Sequence, residues 1–157
     1  MLIDLIIVIG AAAASSHEWG VSAGVHGSVG TRTGLPVMGP EVSLIYRRQG
    51  QGRSGLQIEL QDLWSVHRTG SSHLLGTKLG WTRDWGDRAS GRQGYSFVGV
   101  GGYSSELLSV LPILWLETGI EWRAGSHHWR LGPELYMLPT VFVGSGLRVS
   151  VTSGERR

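Results

Sequence analysis

Apolar side chains recur at every second position in eight successive segments of this chain, beginning after His17. In the first segment, residues 18–29, most odd positions are apolar and every even position is glycine, polar or charged. A period of two is typical of β-strands whose two faces meet different surroundings, and no segment of useful length shows the period of an amphipathic helix. The pattern predicts an all-β domain of eight strands, each of about ten residues.

The N-terminal segment does not follow this alternation. Leu5 to Ala14 reads LIIVIGAAAA, an apolar run too short for a membrane-spanning helix of about 20 residues. It matches the apolar core and small-residue cleavage zone of a secretory signal, although Asp4 stands where a basic segment is usual. We expect a signal peptide over residues 1–16, a barrel domain over 17–152 and a polar C-terminal tail over 153–157. The alternative is a buried N-terminal strand or helix.

Composition excludes several classes of function. Cysteine is absent, so neither a disulfide framework nor a cysteine metal site is possible. The 14 basic residues exceed the 12 acidic ones by only two, which gives no concentrated basic face for nucleic acid. The placement of the charges therefore carries more information than their number.

Long charged side chains occupy the polar face of most of the predicted strands. They comprise six acids, Glu18, Glu41, Glu59, Glu117, Glu121 and Glu134, and five bases, Arg47, Lys78, Arg123, Arg130 and Arg148. An eight-stranded barrel has an interior just wide enough for side chains, and a nearly neutral set can fill it as an ion-pair network. Buried charge without partners would be prohibitive. We predict that these side chains face the interior, and that Leu44, Leu60, Leu116 and Val143 face outward.

Aromatic residues gather near the ends of the apolar faces. Trp19, Tyr46, Trp81, Tyr95, Trp122 and Trp129 fall near one end of the predicted strands, and Trp64 falls near the other. Aromatic rings with a polar edge prefer the membrane interface, where they form the girdles of transmembrane barrels. The alternative places these rings in the core of a soluble β-sandwich.

Together, the alternation, the inward charges and the aromatic girdles resemble the small outer-membrane barrels, a class that includes the OmpA-type transmembrane domain. The resemblance extends over residues 17–152 and is one of pattern. It implies an eight-stranded antiparallel up-and-down transmembrane β-barrel in a bacterial outer membrane. It further implies a monomer surrounded by lipid, without a cofactor and without nucleic acid.

Four features depart from that class. The last strand ends near Thr152 without a terminal aromatic residue, and the connection Thr82–Gln93 is long for its expected periplasmic side. Pro133 lies inside the seventh strand, where its missing N–H indicates a bulge after Gly132. Asp62 interrupts the lipid-facing side of the third strand.

Asp62 and His73 are the candidate catalytic residues. Both are expected on the lipid face of neighbouring strands, with Ser71 and Ser72 in the connecting turn. An acid, a histidine and a serine can activate a hydroxyl for attack on an ester. The plainer interpretation is a polar rim facing lipid headgroups. No metal site is predicted, since the adjacent His127 and His128 point to opposite faces of a strand.

Three functions remain open from the sequence. The first is a closed outer-membrane barrel with a structural, anchoring or surface-interaction role, which is not a diffusion porin because eight strands leave no aqueous channel. The second is a lipid-modifying hydrolase or acyltransferase that uses Asp62, His73 and Ser71 or Ser72. The third is a secreted soluble β-barrel with the faces inverted, which binds a small apolar ligand inside.

The hairpin between the sixth and seventh strands has the best-defined register. A four-residue loop over residues 124–127 would set Trp122 beside Trp129 and Glu121 beside Arg130. The same register sets Glu117 opposite Glu134, so this pair must recruit a base from another strand or share a proton.

Overall fold

The computed structural model describes residues 16–30, 36–50, 52–67, 70–87, 90–105, 108–137 and 142–154. They form eight strands: β1 Ser16–Gly30, β2 Pro36–Gln49, β3 Ser54–His67, β4 Gly70–Trp85, β5 Arg92–Ser105, β6 Leu108–Ala124, β7 His127–Met137 and β8 Phe142–Ser153. Each strand pairs with its sequence neighbour in antiparallel fashion, and β8 pairs with β1 to close the barrel. The predicted eight-stranded antiparallel barrel is confirmed. Among the described residues, no helix is long and apolar enough to cross a membrane.

The strands are longer than the sequence pattern predicted, with 11 to 17 residues each. A strand of 15 residues tilted near 45° spans about 35 Å, compared with an apolar band of about 25 Å in outer-membrane barrels.

The predicted long connection Thr82–Gln93 is wrong. β4 continues to Trp85 and β5 starts at Arg92, so only residues 86–91 connect them. Gly86 and Gly91 adopt positive φ angles of 95° and 69° in this turn.

The pleat sends the two parities of each strand to opposite sides. Leu44 and Leu60 lie outside with 60% and 56% of their surface exposed, whereas Glu59 and Lys78 lie inside and are fully buried. Leu116 also faces outward, and the side chain of Val143 is outside the described residues. An exposed apolar face around a charged interior is the reverse of a soluble barrel.

The predicted register of the β6–β7 hairpin is confirmed. Trp122 lies opposite Trp129, Glu121 opposite Arg130, and Glu117 opposite Glu134. The loop is tighter than expected, because Ala124 already pairs with His127 and only residues 125–126 form the turn.

Pro133 does not create the predicted bulge. The pairing of β6 with β7 has the same register before and after it, with Glu117 opposite Glu134 and Ile120 opposite Leu131. On its other side Pro133 lies in register with Leu147 of β8. A register shift occurs instead between Tyr103 and Ser105 of β5.

Two predicted segments lie mainly outside the described residues. The signal peptide falls on residues 1–16, of which only Ser16 is described, as the first residue of β1. The polar tail falls on residues 153–157, of which Ser153 ends β8 and Gly154 follows it. The end of the barrel where β1 begins and β8 ends is called the terminal end below.

Candidate functional site

Near the terminal end, the interior is crossed by a chain of ion pairs, here called the Arg47–Arg130 cluster. Arg47 Nη1 lies 3.0 Å from Glu18 Oε2, and Arg130 Nε donates to Glu121 Oε2 at 2.5 Å. Arg130 Nη2 also donates to Asp84 Oδ1 at 2.8 Å. All five side chains are almost fully buried, so each charge is compensated within the protein instead of by water.

Farther from that end lies a second network, the Lys78–Arg148 cluster. Arg148 Nη2 donates to Glu59 at 2.5 Å and Arg148 Nη1 to Glu117 at 3.2 Å, while Lys78 Nζ donates to Glu134 at 2.6 Å. Arg148 Nη1 also lies 3.6 Å from Glu134. The facing Glu117 and Glu134 have therefore recruited bases from β4 and β8.

The interior is more acidic than the sequence predicted. Asp84 is buried inside, although the sequence interpretation left it in a connection. The placement of Arg123 inside is wrong: this arginine is exposed beyond the barrel mouth, where its Nε donates to the Gly125 carbonyl. Among the described residues the interior holds seven carboxylates, four permanent cations and the histidines His26 and His128.

Part of the interior is apolar. Its members are Leu63, Phe97, Ile113, Trp115 and Tyr136. Lys78 Nζ lies 5.1 Å from the Trp115 ring centroid, so this group borders the Lys78–Arg148 cluster. The girdle assignment of Tyr95 is also wrong: its ring faces inward, stacks under Arg130 and donates its hydroxyl to Glu117 at 2.5 Å.

The remaining predicted girdle residues lie on the outer face. Near the terminal end these are Trp19, Tyr46, Trp81, Trp122 and Trp129, and toward the other end Trp64. Trp85, which was missed with its strand end, adds another exposed ring. The Trp122 and Trp129 rings stack with centroids 6.4 Å apart.

Asp62 and His73 meet on the lipid-facing side of β3 and β4. His73 Nδ1 lies 3.1 Å from Asp62 Oδ1, and the His73 ring stacks on Trp64 with centroids 5.6 Å apart. Asp62 thus holds one imidazole nitrogen and leaves Nε2 available as a base. Ser71 and Ser72 belong to β4 itself instead of a turn, because that strand begins at Gly70, and their side chains are outside the described residues.

An apolar groove runs along the outer surface from Asp62. Leu60, Leu44, Val42 and Ala23 are among the residues that line it. Ala23 lies between Val42 of β2 and Val149 of β8, so a small side chain there lowers the surface between two larger ones. The groove reaches the Asp62–His73 pair through Asp62, which belongs to its lining.

Comparison of the fold with solved structures identifies the class. Neisserial surface protein A matches with a TM-score of 0.62 at 11% identity, over 87% of this chain and 96% of that one. The chain has the fold of the small outer-membrane barrels. The exposed apolar belt and aromatic girdles on that fold match the lipid-facing surface of a transmembrane β-barrel.

Two other barrels of this class have different roles. The attachment invasion locus protein Ail of Yersinia pestis, solved with the heparin analogue sucrose octasulfate, matches with a TM-score of 0.53 at 14% identity, over 87% of this chain and 97% of its own. The outer membrane enzyme PagL matches with a TM-score of 0.57 at 12% identity, over 85% and 98%. Neither a protein family nor a curated protein matches the sequence. At such identities the likeness establishes the fold of the barrel alone.

Proposed function

We propose that this outer-membrane barrel is a closed, non-conducting protein with a structural, anchoring or surface-interaction role. The observation that carries the proposal is the filled interior. Arg47, Arg130 and Arg148 cross the lumen with their guanidinium groups in ion pairs, and Trp115 is the largest of the fully buried side chains among the described residues. An eight-stranded barrel packed in this way has no room for a column of water.

Conductance across a planar bilayer tests the closed interior. The full chain, reconstituted without a tag, should give no conductance above that of the protein-free bilayer, because ion pairs and aromatic rings occupy the lumen. A porin of 16 strands reconstituted in the same way is the positive control. Steady single-channel steps that scale with the amount of folded barrel would contradict the proposal.

A second candidate is a lipid-modifying hydrolase or acyltransferase, which the Asp62–His73 hydrogen bond favours. The carboxylate accepts from Nδ1, which orients the imidazole and stabilises its positive charge, and Nε2 can then take a proton from a hydroxyl. Ser71 precedes His73 by two residues, the spacing of positions on one strand face. The groove below Asp62 would hold the acyl chain of the lipid.

The reaction would proceed in two steps. The serine oxygen attacks the ester carbonyl while His73 takes its proton, and the alcohol part of the lipid leaves with that proton. Water in a hydrolase, or a second alcohol in an acyltransferase, then attacks the acyl-enzyme and restores the serine. His73 acts first as base and then as acid.

Release of fatty acid from ester-linked lipids in mixed micelles tests this candidate. His73→Gln is expected to lower kcat by at least about a thousandfold, since removal of a triad member has effects of this size or larger. Ser71→Ala and Ser72→Ala, made separately, identify the nucleophile. His17→Gln is the matched control, because His17 is an exposed histidine bound to the Tyr46 hydroxyl. A wild-type barrel that neither releases fatty acid nor transfers the acyl group to an added alcohol, or activity that survives in His73→Gln, would exclude the enzyme.

A further inference from the structure

The buried side-chain polar atoms of the described interior that make no hydrogen bond lie around one side chain, Glu41. They are His26 Nε2, Gln61 Oε1 and Glu134 Oε2, none of which has a hydrogen-bond partner. His26 Nε2 lies 2.6 Å from Glu41 Oε2 without the alignment of a hydrogen bond, and Gln61 Nε2 donates to Glu41 Oε1 at 2.9 Å. Buried polar atoms are nearly always satisfied, so several exceptions in one place call for a ligand.

We propose that His26, Glu41 and Glu134 bind a divalent transition-metal ion inside the barrel, with Zn²⁺ as the best match. One imidazole nitrogen and two carboxylate oxygens form the candidate ligand set, and these atoms lie within 4.8 Å of one another. Tetrahedral ligands at about 2.0–2.2 Å from Zn²⁺ lie about 3.3 Å apart, so small side-chain adjustments close the set around an ion. The imidazole favours Zn²⁺ and its neighbours over Ca²⁺ or Mg²⁺.

The backbone brings these ligands together across β8. Gly146 of β8 lies opposite His26 of β1 on one side and opposite Glu134 of β7 on the other. A Cβ atom at Gly146 would approach the His26 ring nitrogen Nδ1 to 3.0 Å. The absence of a side chain at this position therefore leaves room for the two ligands to approach each other.

The charge of the surrounding network also fits a divalent ion. Among the described residues around the site, Glu41, Glu59, Glu117 and Glu134 face two basic side chains besides His26, namely Lys78 and Arg148. Lys78 Nζ contacts Glu134 through Oε1, whereas Oε2 accepts no hydrogen bond and lies 3.6 Å from Arg148 Nη1, so Oε2 is the oxygen offered to the ion. A divalent cation with a neutral His26 would balance the two excess carboxylates, which are otherwise costly to bury.

Metal binding to the untagged full chain, refolded in lipid after chelation, tests the site. Calorimetry with Zn²⁺ should give one ion per chain. Co²⁺ should give visible d–d absorption, and His26 should be the one histidine whose ring protons show the large shifts of a Co²⁺ ligand. His26→Gln and Glu134→Gln should each weaken binding by more than about tenfold, because each removes a ligand.

Two matched controls separate the site from general effects. Glu18→Gln removes a buried carboxylate of the Arg47–Arg130 cluster, and His127→Gln removes an exposed histidine of the barrel mouth. Both should retain wild-type affinity. A wild-type barrel that binds no stoichiometric Zn²⁺ would overturn the proposal and leave His26 paired with Glu41 alone. Binding that survives in His26→Gln, or Co²⁺ shifts on a different histidine, would also overturn it. The wild-type measurements decide the matter even if a ligand variant fails to fold.

Discussion

Replacing Arg148 by methionine is expected to destabilise the folded barrel by about 3–5 kcal/mol, the usual cost of removing one partner from a buried ion pair. Methionine keeps much of the side-chain length and removes the charge. Glu59 and Glu117 then lose the guanidinium that holds them, and Ser22 and Ser43 lose its hydrogen bonds. The free energy of unfolding is measured by urea titration in lipid vesicles.

Arg123→Met is the matched control for this variant. The same side chains are exchanged at an exposed position, where the Arg123 side chain donates to the Gly125 carbonyl, and the expected cost is about 1 kcal/mol or less. Combining Arg148→Met with Glu59→Gln should recover part of the loss, because one uncompensated charge is removed. Equal costs for Arg148→Met and Arg123→Met would contradict the buried network.

Replacing Leu116 by arginine is expected to cost about 2–4 kcal/mol, the range for a cation at the middle of the lipid face of a barrel. Leu116 faces outward on β6, six residues from Trp122 at the terminal end. Six residues of a tilted strand correspond to about 15 Å, close to half of the apolar band. Unfolding in lipid vesicles again gives the cost.

Ile120→Arg is the control for depth. Ile120 lies on the same strand and the same face, but only two residues from Trp122, where the expected cost is about 1 kcal/mol or less. The ratio of the two costs therefore reports the depth of each position in the bilayer. Near-zero costs at both positions would mean that this face is not in contact with lipid.

The residues of a strand that share a face could be predicted, because side chains alternate strictly between the two faces. Polarity alone could not place every side chain, because each face is apolar or polar only on average. Leu44 and Ile45 are both apolar neighbours, yet Leu44 is outside and Ile45 is inside. In β5 both parities are apolar, so alternation could not choose between Tyr95 and Val98. The interior position of Tyr95 depends on Arg130, which lies two strands away in the closed barrel.

Strand ends were the least predictable part of the fold. Arg123 has the inward parity, but β6 carries it beyond the lumen, where water solvates it. Asp84 falls within the stretch Thr82–Gln93 that the sequence analysis predicted as a connection, whereas β4 continues to Trp85. With Asp84 inside and Arg123 outside, the interior is acidic, whereas the predicted set of interior charges was nearly neutral.

The two candidate sites differ in how far they could be predicted. Asp62 and His73 lie on neighbouring strands of one hairpin, so alternation was enough to place them together. His26, Glu41 and Glu134 come from β1, β2 and β7. Their proximity depends on closure of the barrel and on the register of β8, which the sequence pattern does not specify.

The outward orientation of the apolar face is tested most directly at the consecutive residues Leu44 and Ile45. In lipid nanodiscs, nuclear Overhauser effects from acyl-chain protons should reach the Leu44 methyl groups and not those of Ile45, because the first side chain is 60% exposed and the second 1%. Contacts among Ile45 and the interior side chains should accompany this result. Acyl-chain contacts to Ile45 with none to Leu44 would contradict it, since they would mean that the apolar face is turned inward as in a soluble barrel.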